Sequence, residues 1–382
     1  MIKVLHLIKS LGRGGAEMLL PEGLRFADRE RFDFSYAYFL PWKDAVVPAL
    51  RDLGAEVTCV SASGNARILL AARRVATLMR ASGVDLVHCH LPIAGVVGRI
   101  AGRMTGVPVV YTEHNKQERY HPLTRALNRH SWAWQERVIA VSDDVAASIA
   151  KHIRSRVPVQ VVLNGVDTDR FRRDPNVAHR VRGELGIPES APVVGTVAVF
   201  RQQKRLDHWL DAARRIRDGR PDTQFVIVGD GPLRTEIEAH AALLDLSDVV
   251  HFTGLREDVR PFLAAMDVYM MSSVFEGLPV ALLEAMSMEC VPVATAVGGI
   301  PQAIRSGENG YLAEPLRPDL LAERVGDVLG ARDRTGELGE AARETVCTRF
   351  DMRRMARELE SVYETVIRQF PERVDRRQAA AL

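Results

Sequence analysis

The feature that most constrains this chain is a repeated alternation. As far as Asn164, short runs rich in Val, Ile and aromatic residues recur: IKVLHLI, FDFSYAYFL, VTCVS, DLVHCH, VPVVYT, RVIAVS and VQVVLN, with helical stretches between them. Strands that are apolar along their whole length and joined by helices pair in parallel and are covered on both faces. A second series begins after the charged, loop-like GVDTDRFRRDPNVAHR: PVVGTVAVF, QFVIVGDG, VVHFTG, DVYMMSS, VPVATAV and GYLAE. A chain of 382 residues exceeds the roughly 250–300 over which one core keeps growing. The expectation is an α/β protein of two Rossmann-like, doubly wound domains, residues 1–170 and 171–350, with the break near 165–185. Such sheets bind ligands at the carboxyl ends of their strands, here in a cleft between the domains.

The segment FDMRRMARELESVYETVIRQF carries Met352, Met355, Leu359, Val362, Tyr363 and Val366 at spacings of three and four. That pattern predicts an amphipathic helix over about 351–370, expected to pack back on the first domain. RVDRRQAAAL beyond it has no such face and is expected to fray.

Composition excludes several classes. Lys plus Arg number 51 against 49 Asp plus Glu, so the basic footprint of a nucleic-acid binder is missing. IKVLHLI is followed by Lys9 and Arg13, too soon for a signal peptide or a span of about 20 residues. No other window reaches that length, so a cytoplasmic protein is expected, touching at most the inner face of a membrane. Cys59, Cys89, Cys290 and Cys347 form no Cys-x-x-Cys pair and read as idle thiols in a reducing compartment.

Several motifs fall at strand ends. HLIKSLGRGGAEMLL runs from a strand through Gly12, Gly14 and Gly15 into a helix, where bare amides can approach a phosphate or polar ligand. Met18 breaks the dinucleotide fingerprint. VHCHLP puts His88 and His90 on one face of a strand, and YTEHN puts Glu113, His114 and Asn115 at the end of the next. A metal site would need more ligands, so histidines facing the cleft and bonding a sugar or phosphate are the expectation. FRQQKRLD offers Arg201, Lys204 and Arg205, suited to phosphate oxygens. VGDGPL and VGGIPQ add glycines at two more strand ends. VFEGLPVALLEAM places Glu276 in a loop at the cleft mouth and Glu284 two turns into an apolar helix. A lone carboxylate there costs several kcal/mol unless it is hydrogen-bonded, and a pair of vicinal hydroxyls would serve as its partner.

These stretches together, from SLGRGGAE through VHCHLPIAGVVGRIAGRMTGVPVVYTEHN and VLNGVDTDRF to SSVFEGLPVALLEAMSMECVPVATAVGGIPQAIRSGENGYLAE, resemble the retaining glycosyltransferases of family 4, which have the GT-B fold. The two glutamates eight positions apart, with Gly277, Pro279 and Ala285, are the most specific part. The resemblance implies that Glu284 binds the ribose hydroxyls of a nucleotide sugar, a UDP or GDP sugar, while Glu276 contacts the donor sugar. It also implies that Gly277 and Leu278 give amides to the diphosphate and that Lys204 holds it. Gly15 would belong to a loop approaching the donor, and His114 would contact the donor sugar. Where the family has an arginine five residues before the lysine, this chain has Val199; Arg201 is expected to supply that charge. No metal cofactor is implied, and no loop is read as an Asp-x-Asp metal motif.

On the acceptor side, NARILLAARRVATLMRA reads as a basic amphipathic helix, with Ile68, Ala72, Val75 and Met79 on one face and Arg67, Arg73, Arg74 and Arg80 on the other. A surface helix packed on the sheet is the plain reading. Attraction to anionic lipid, or to a saccharide or lipid-linked acceptor, is the sharper one. The alternatives to a transferase are a nucleotide-sugar epimerase or phosphorylase, a dinucleotide oxidoreductase and a non-catalytic nucleotide-sugar binder. The paired glutamates disfavour the epimerase and phosphorylase, and the broken glycine fingerprint disfavours the oxidoreductase.

Overall fold

The computed structural model describes the backbone of residues 1–379 and the side chains of all of these except 332, 333 and 371–379. The chain forms two compact units: Met1–Gly165 together with the segment from Met352 onward, and Val166–Asp351.

In the first unit, β1 (Ile2–Leu7), β2 (Phe32–Tyr38), β3 (Glu56–Cys59), β4 (Leu86–His90), β5 (Val109–Glu113), β6 (Arg137–Ala140) and β7 (Val159–Val161) form a parallel sheet ordered β3-β2-β1-β4-β5-β6-β7. Strand order reverses between β1 and β4, the switch point where ligands bind such sheets. Alternation along each strand feeds two apolar layers. One holds Leu5, Leu7, Val87 and Tyr111 against Ile68, Val75 and Val97. The other holds Val4, Leu20, Leu24, Phe34 and Val110, closed by Val362, Tyr363 and Val366. Each fully buried side chain of this size stabilises by about 1.5–3 kcal/mol.

Those last three residues come from the helix Met352–Ala379, which joins the helix Gly15–Arg25 in covering that layer. Glu360 Oε1 accepts from the Asp28 amide at 2.8 Å and Arg354 donates to the Leu163 carbonyl at 2.7 Å. The stretch expected to fray from Arg373 is helical as far as Ala379; residues 380–382 lie outside the described residues. The single basic helix expected over 65–81 is two, Gly64–Leu70 and Ala72–Ala81, meeting at Ala71. Ile68, Ala72, Val75 and Met79 are all buried, so the periodicity spans the break and hides it.

The second unit repeats the plan. Strands β8 (Val193–Val197), β9 (Gln224–Val228), β10 (Val250–Gly254), β11 (Val268–Met271), β12 (Val291–Thr295) and β13 (Tyr311–Ala313) are parallel in the order β10-β9-β8-β11-β12-β13. The switch lies between β8 and β11. Val194, Phe225, Ile227, Val268, Met270 and Val291 pack with Trp209 on one face. The buried Trp209 indole N–H donates to the Met270 carbonyl at 2.9 Å, so the large ring brings no unpaired polar group into the core.

Candidate active site

The loops leaving β8 and β11 meet at the switch of the second sheet. After β8 the chain passes Val199 and Arg201, both exposed, into a single turn, Gln202–Lys204. Arg205 then takes a left-handed conformation, φ 46°, to start the helix Leu206–Gly219. The Ser272 hydroxyl, just past β11, lies 2.8 Å from the carbonyls of both Lys204 and Arg205, and the Val274 amide donates to the Gln203 carbonyl at 2.9 Å. With the loops pinned, Lys204 Nζ reaches Glu276 Oε1 at 2.5 Å, and the Ser273 hydroxyl donates to the same oxygen at 2.7 Å. Glu276 is 8% exposed and the Lys204 side chain 19%. A carboxylate so placed is tolerated because a cation and a hydroxyl both meet it.

The glycines of VGGIPQ and VGDGPL explain how the backbone comes this close. Gly298 sits at φ 59°, and a Cβ there would overlap the Glu276 carbonyl; the neighbouring Gly299 amide donates to the Gly277 carbonyl at 2.5 Å. A Cβ on Gly231 would come within 2.6 Å of the Phe200 backbone, so the β9 loop can lie against the loop bearing Arg201.

Glu284 stands in the helix Val280–Ser287, which Pro279 opens. It is little more than one turn inside that helix, where the sequence suggested two, and it is half-buried. Burial pushes the Tyr269 hydroxyl pKa up, and the charges of Glu284 and Glu276 push it further. Both carboxylates therefore act on one phenol, which donates to the Val197 carbonyl at the end of β8. Leu278 is buried at 3%. An Asp-x-Asp triplet does occur, Asp167–Thr168–Asp169, contrary to the sequence reading. Asp167 Oδ1 caps its own turn, accepting from the amides of Asp169 and Arg170, and Thr168 donates to Asp351 at 2.7 Å.

In the first unit, Gly15 opens the helix Gly15–Arg25 after an extended Gly14 and is exposed, with open space where a Cβ would stand. The histidines depart from expectation. His88 and His90 do not face outward: they are 0% and 6% exposed. The reason is register. His6 on β1 pairs with His88 on β4, so His6, His88 and His90 share one sheet face beside Tyr36 of β2. His88 Nδ1 lies 2.7 Å from the Tyr363 hydroxyl and Nε2 2.6 Å from Thr112 Oγ1. His6 Nδ1 lies 2.9 Å from His90 Nε2, and His90 Nδ1 lies 3.2 Å from His114 Nε2. Burial pushes the His6 pKa down to about 3 and that of His114 to about 4, and those of His88 and His90 well below the usual value. All four rings are neutral at neutral pH. A small cavity of about 60 Å³ with mostly apolar walls, among them Leu20, Leu24, Phe34 and Leu359, adjoins them.

His6, His88 and His90 can each offer a nitrogen within 4.8 Å of the others, and they are the group with metal-ligand potential among the described residues. In this structure the same rings are hydrogen-bonded to one another and to their neighbours. Both nitrogens of His88 are engaged, and 2.9 Å between His6 and His90 is hydrogen-bonding distance.

Glu113, on the opposite face of β5, is fully buried. It accepts from the Tyr111 hydroxyl at 2.9 Å, Gln117 Nε2 at 2.5 Å and the Tyr120 hydroxyl, tying down the loop that follows His114. Burial raises its pKa to about 7 against these hydrogen bonds.

Comparison with known proteins gives this arrangement its class. Residues 178–345 match the family described as "Glycosyl transferases group 1" and residues 34–170 the one described as "Glycosyltransferase Family 4". Alpha-maltose-1-phosphate synthase of Mycolicibacterium smegmatis is 29% identical over 84% of this chain and 86% of its own. N-acetyl-alpha-D-glucosaminyl L-malate synthase of Bacillus anthracis is 28% identical over 78% and 80%. Among solved structures, Anabaena HepE in complex with UDP-glucose superposes with a TM-score of 0.87 at 23% identity, over 96% of this chain and 100% of that one. WaaG, a glycosyltransferase involved in lipopolysaccharide biosynthesis, gives 0.73 at 20%, over 94% and 99%. Two doubly wound units with these relatives define a glycosyltransferase of the GT-B fold. Within that class, the chain belongs to glycosyltransferase family 4.

Of the residues singled out in the sequence, Lys204 and Glu276 form a direct pair, and Glu284 joins Glu276 around Tyr269. His114 stands at the end of the histidine array. Sequence reasoning missed Ser273, Tyr269, Tyr363 and His6. His6 had a usable signal: it lies two residues from Val4 in the first strand, and in a doubly wound sheet that strand neighbours the one bearing His88.

Proposed function

We propose that this glycosyltransferase moves a hexose from a UDP or GDP sugar to a hydroxyl of a saccharide or lipid-linked acceptor, with retention of configuration, in bacterial polysaccharide or glycolipid assembly. The observation that carries the reading is the Lys204–Glu276 pair at the switch of the second sheet, on the motif residues that resemble the family's donor site. The similarity to HepE, crystallised with UDP-glucose, supports the donor class, and the bacterial relatives support the setting.

In this reading the bond between the sugar's C1 and a diphosphate oxygen breaks, and its electrons leave with the diphosphate. The acceptor oxygen bonds C1 from the same face, and its proton passes to the departing diphosphate. Lys204, Arg201 and the Gly277 and Leu278 amides meet the growing negative charge. Lys204 exchanges its bond to Glu276 for the phosphates, which frees Glu276 for the donor sugar. Glu284 holds the ribose diol, His114 a hydroxyl of the transferred sugar, and Gly15 leaves room for the donor. Two cations and two amides stand in for a divalent ion, so EDTA is expected to leave turnover unchanged; activity that depends on added Mg²⁺ or Mn²⁺ would contradict this.

Lys204→Met is expected to lower kcat by roughly a hundred- to a thousandfold. Glu284→Ala removes a charged hydrogen bond of about 1.5–3 kcal/mol and is expected to raise the KM for the donor more than it lowers kcat. Undiminished donor cleavage by both variants would overturn the assignment. Thermal shift against UDP, GDP and ADP sugars identifies the base, since a donor at a hundred times its Kd stabilises the fold by about 2.7 kcal/mol.

The acceptor side rests on a hollow of about 340 Å³ lined by Trp42, Ser61, Ser63, Arg67, Leu70 and Arg74. Trp42 is 61% exposed and Leu70 82%, a pairing of apolar and basic groups that suits an anionic lipid surface or a lipid-linked acceptor. Vesicles rich in anionic lipid should co-sediment the protein at low salt and release it at high salt; absence of salt-dependent binding removes this element.

A further inference from the structure

His6, His90 and His114 are joined ring to ring, His6 Nδ1 to His90 Nε2 and His90 Nδ1 to His114 Nε2, at 2.9 and 3.2 Å. Each ring is neutral, because burial without a neighbouring carboxylate disfavours the imidazolium. A neutral imidazole has one N–H and one bare nitrogen. Two successive ring-to-ring bonds can then be satisfied in only two ways. In one, His114 Nε2–H donates to His90, His90 Nε2–H donates to His6, and His114 Nδ1 is bare. In the other every bond reverses: His6 Nδ1–H donates to His90, His90 Nδ1–H donates to His114, and His114 Nδ1 carries the proton. No mixed state keeps both bonds. While its bond to His90 stands, Nδ1 is the only nitrogen His114 can offer to anything else.

We propose that His90 and His6 are positioning residues for His114: the array ties the three rings to one pattern, all protonated on Nε2 or all on Nδ1, and so couples what His114 presents to the donor sugar, a hydrogen-bond acceptor or an N–H, to the state of His6 and His90. The clause concerning the donor rests on the assignment of His114 made above; the tautomer itself does not. The surroundings suit such a device. His6 stacks on Tyr36 with ring centroids 5.1 Å apart and on His90 at 5.2 Å, so the rings cannot turn freely. Tyr363 and Thr112 occupy both nitrogens of His88, which leaves His88 a wall of the array and not a branch of it. A second-sphere hydrogen bond on one ring nitrogen is the general means of selecting the tautomer of the other.

The test uses the full chain, with His114 nitrogens resolved by long-range ¹⁵N correlation NMR in the absence of donor. With His6 and His90 resolved alongside, the wild type should show the same Nε2–H fraction in all three rings. His6→Phe keeps an aromatic ring against Phe34 and Tyr36 but leaves His90 Nε2 without its partner; the Nε2–H fraction of His114 should then shift. With donor and acceptor present, kcat should fall roughly ten- to a hundredfold with the donor KM little changed. Should His6→Phe fail to fold, as a lost cooperative melt would reveal, His90→Gln serves instead and should uncouple the two ends, so that the Nε2–H fractions of His6 and His114 differ. Unequal fractions among the three rings of the wild type, or a His114 fraction unchanged in both His6→Phe and His90→Gln, overturns the proposal. Full activity in His114→Ala would remove the role assigned to His114 at the donor, and the NMR result would still decide whether the array sets its tautomer.

Discussion

Gly298 shows how narrowly one backbone atom constrains the second unit's loops. At φ 59° it occupies the left-handed region, and an added methyl would overlap the Glu276 carbonyl. Gly298→Ala is therefore expected to cost about 1–3 kcal/mol in backbone strain and to displace Glu276 from Lys204, so that stability and turnover fall together; a folded variant with normal kinetics would show that the loop's position is not critical. Residue identities at this site were largely legible, because Glu276, Lys204 and Glu284 belong to a recognisable pattern. Their partners were not. Ser273 meets Glu276 only because a strand ends at Met271 and the next residues turn, and His6 meets His90 only through strand order, which no local window contains.

At the scale of elements, the strands could be read with little ambiguity because burial on both faces writes an uninterrupted apolar run. Helices were harder to divide. Ala71 ends one helix and caps the next while Ile68, Ala72 and Val75 stay buried in sequence, so a heptad-like pattern conceals the break. The depth of Glu284 was overread although the helix start was not: the helix begins at Val280 as expected, and Glu284, its fifth residue, lies little more than one turn inside. The helix from Met352 carries its own test. Tyr363→Phe removes the hydroxyl 2.7 Å from His88 Nδ1 and leaves a buried nitrogen without its partner, at a cost of about 1–3 kcal/mol. A lowered urea midpoint is expected; an unchanged one would mean that the bond contributes nothing net.

For the whole molecule, the three buried histidines and the half-buried His114 dictate the response to acid. The native pKa values of His6, His88, His90 and His114 are all depressed from 6.5, so the unfolded chain binds protons that the native one refuses. Their contribution is present above pH 6.5 and is lost as pH falls toward about 4 and then 3, by up to about 1.4 kcal/mol per pH unit for each group. Glu113 opposes them: with a native pKa raised to about 7 from 4.5, its contribution is present below 4.5 and lost as pH rises through 7. Between 4.5 and 6.5 these four, joined by His251, whose pKa burial also lowers, act against Glu113 and Glu360, whose pKa burial raises, and the histidines win. The urea midpoint should therefore fall from pH 7 to pH 5, less steeply in His6→Phe; a flat profile would refute this balance.

The chain's path through its two units also has a consequence for biogenesis. The first unit is begun at Met1, interrupted at Gly165 and resumed only at Met352. A nascent chain that has already delivered all seven strands of the first sheet still lacks Val362, Tyr363 and Val366, so one apolar face stays open until the whole second unit and the helix after it have been made. The second unit, contiguous from Val166 to Asp351, suffers no such delay and can close on the ribosome first, although it is made second. A chain halted after Asp351 should accordingly give a folded second unit joined to a first that is captured by chaperones or protease.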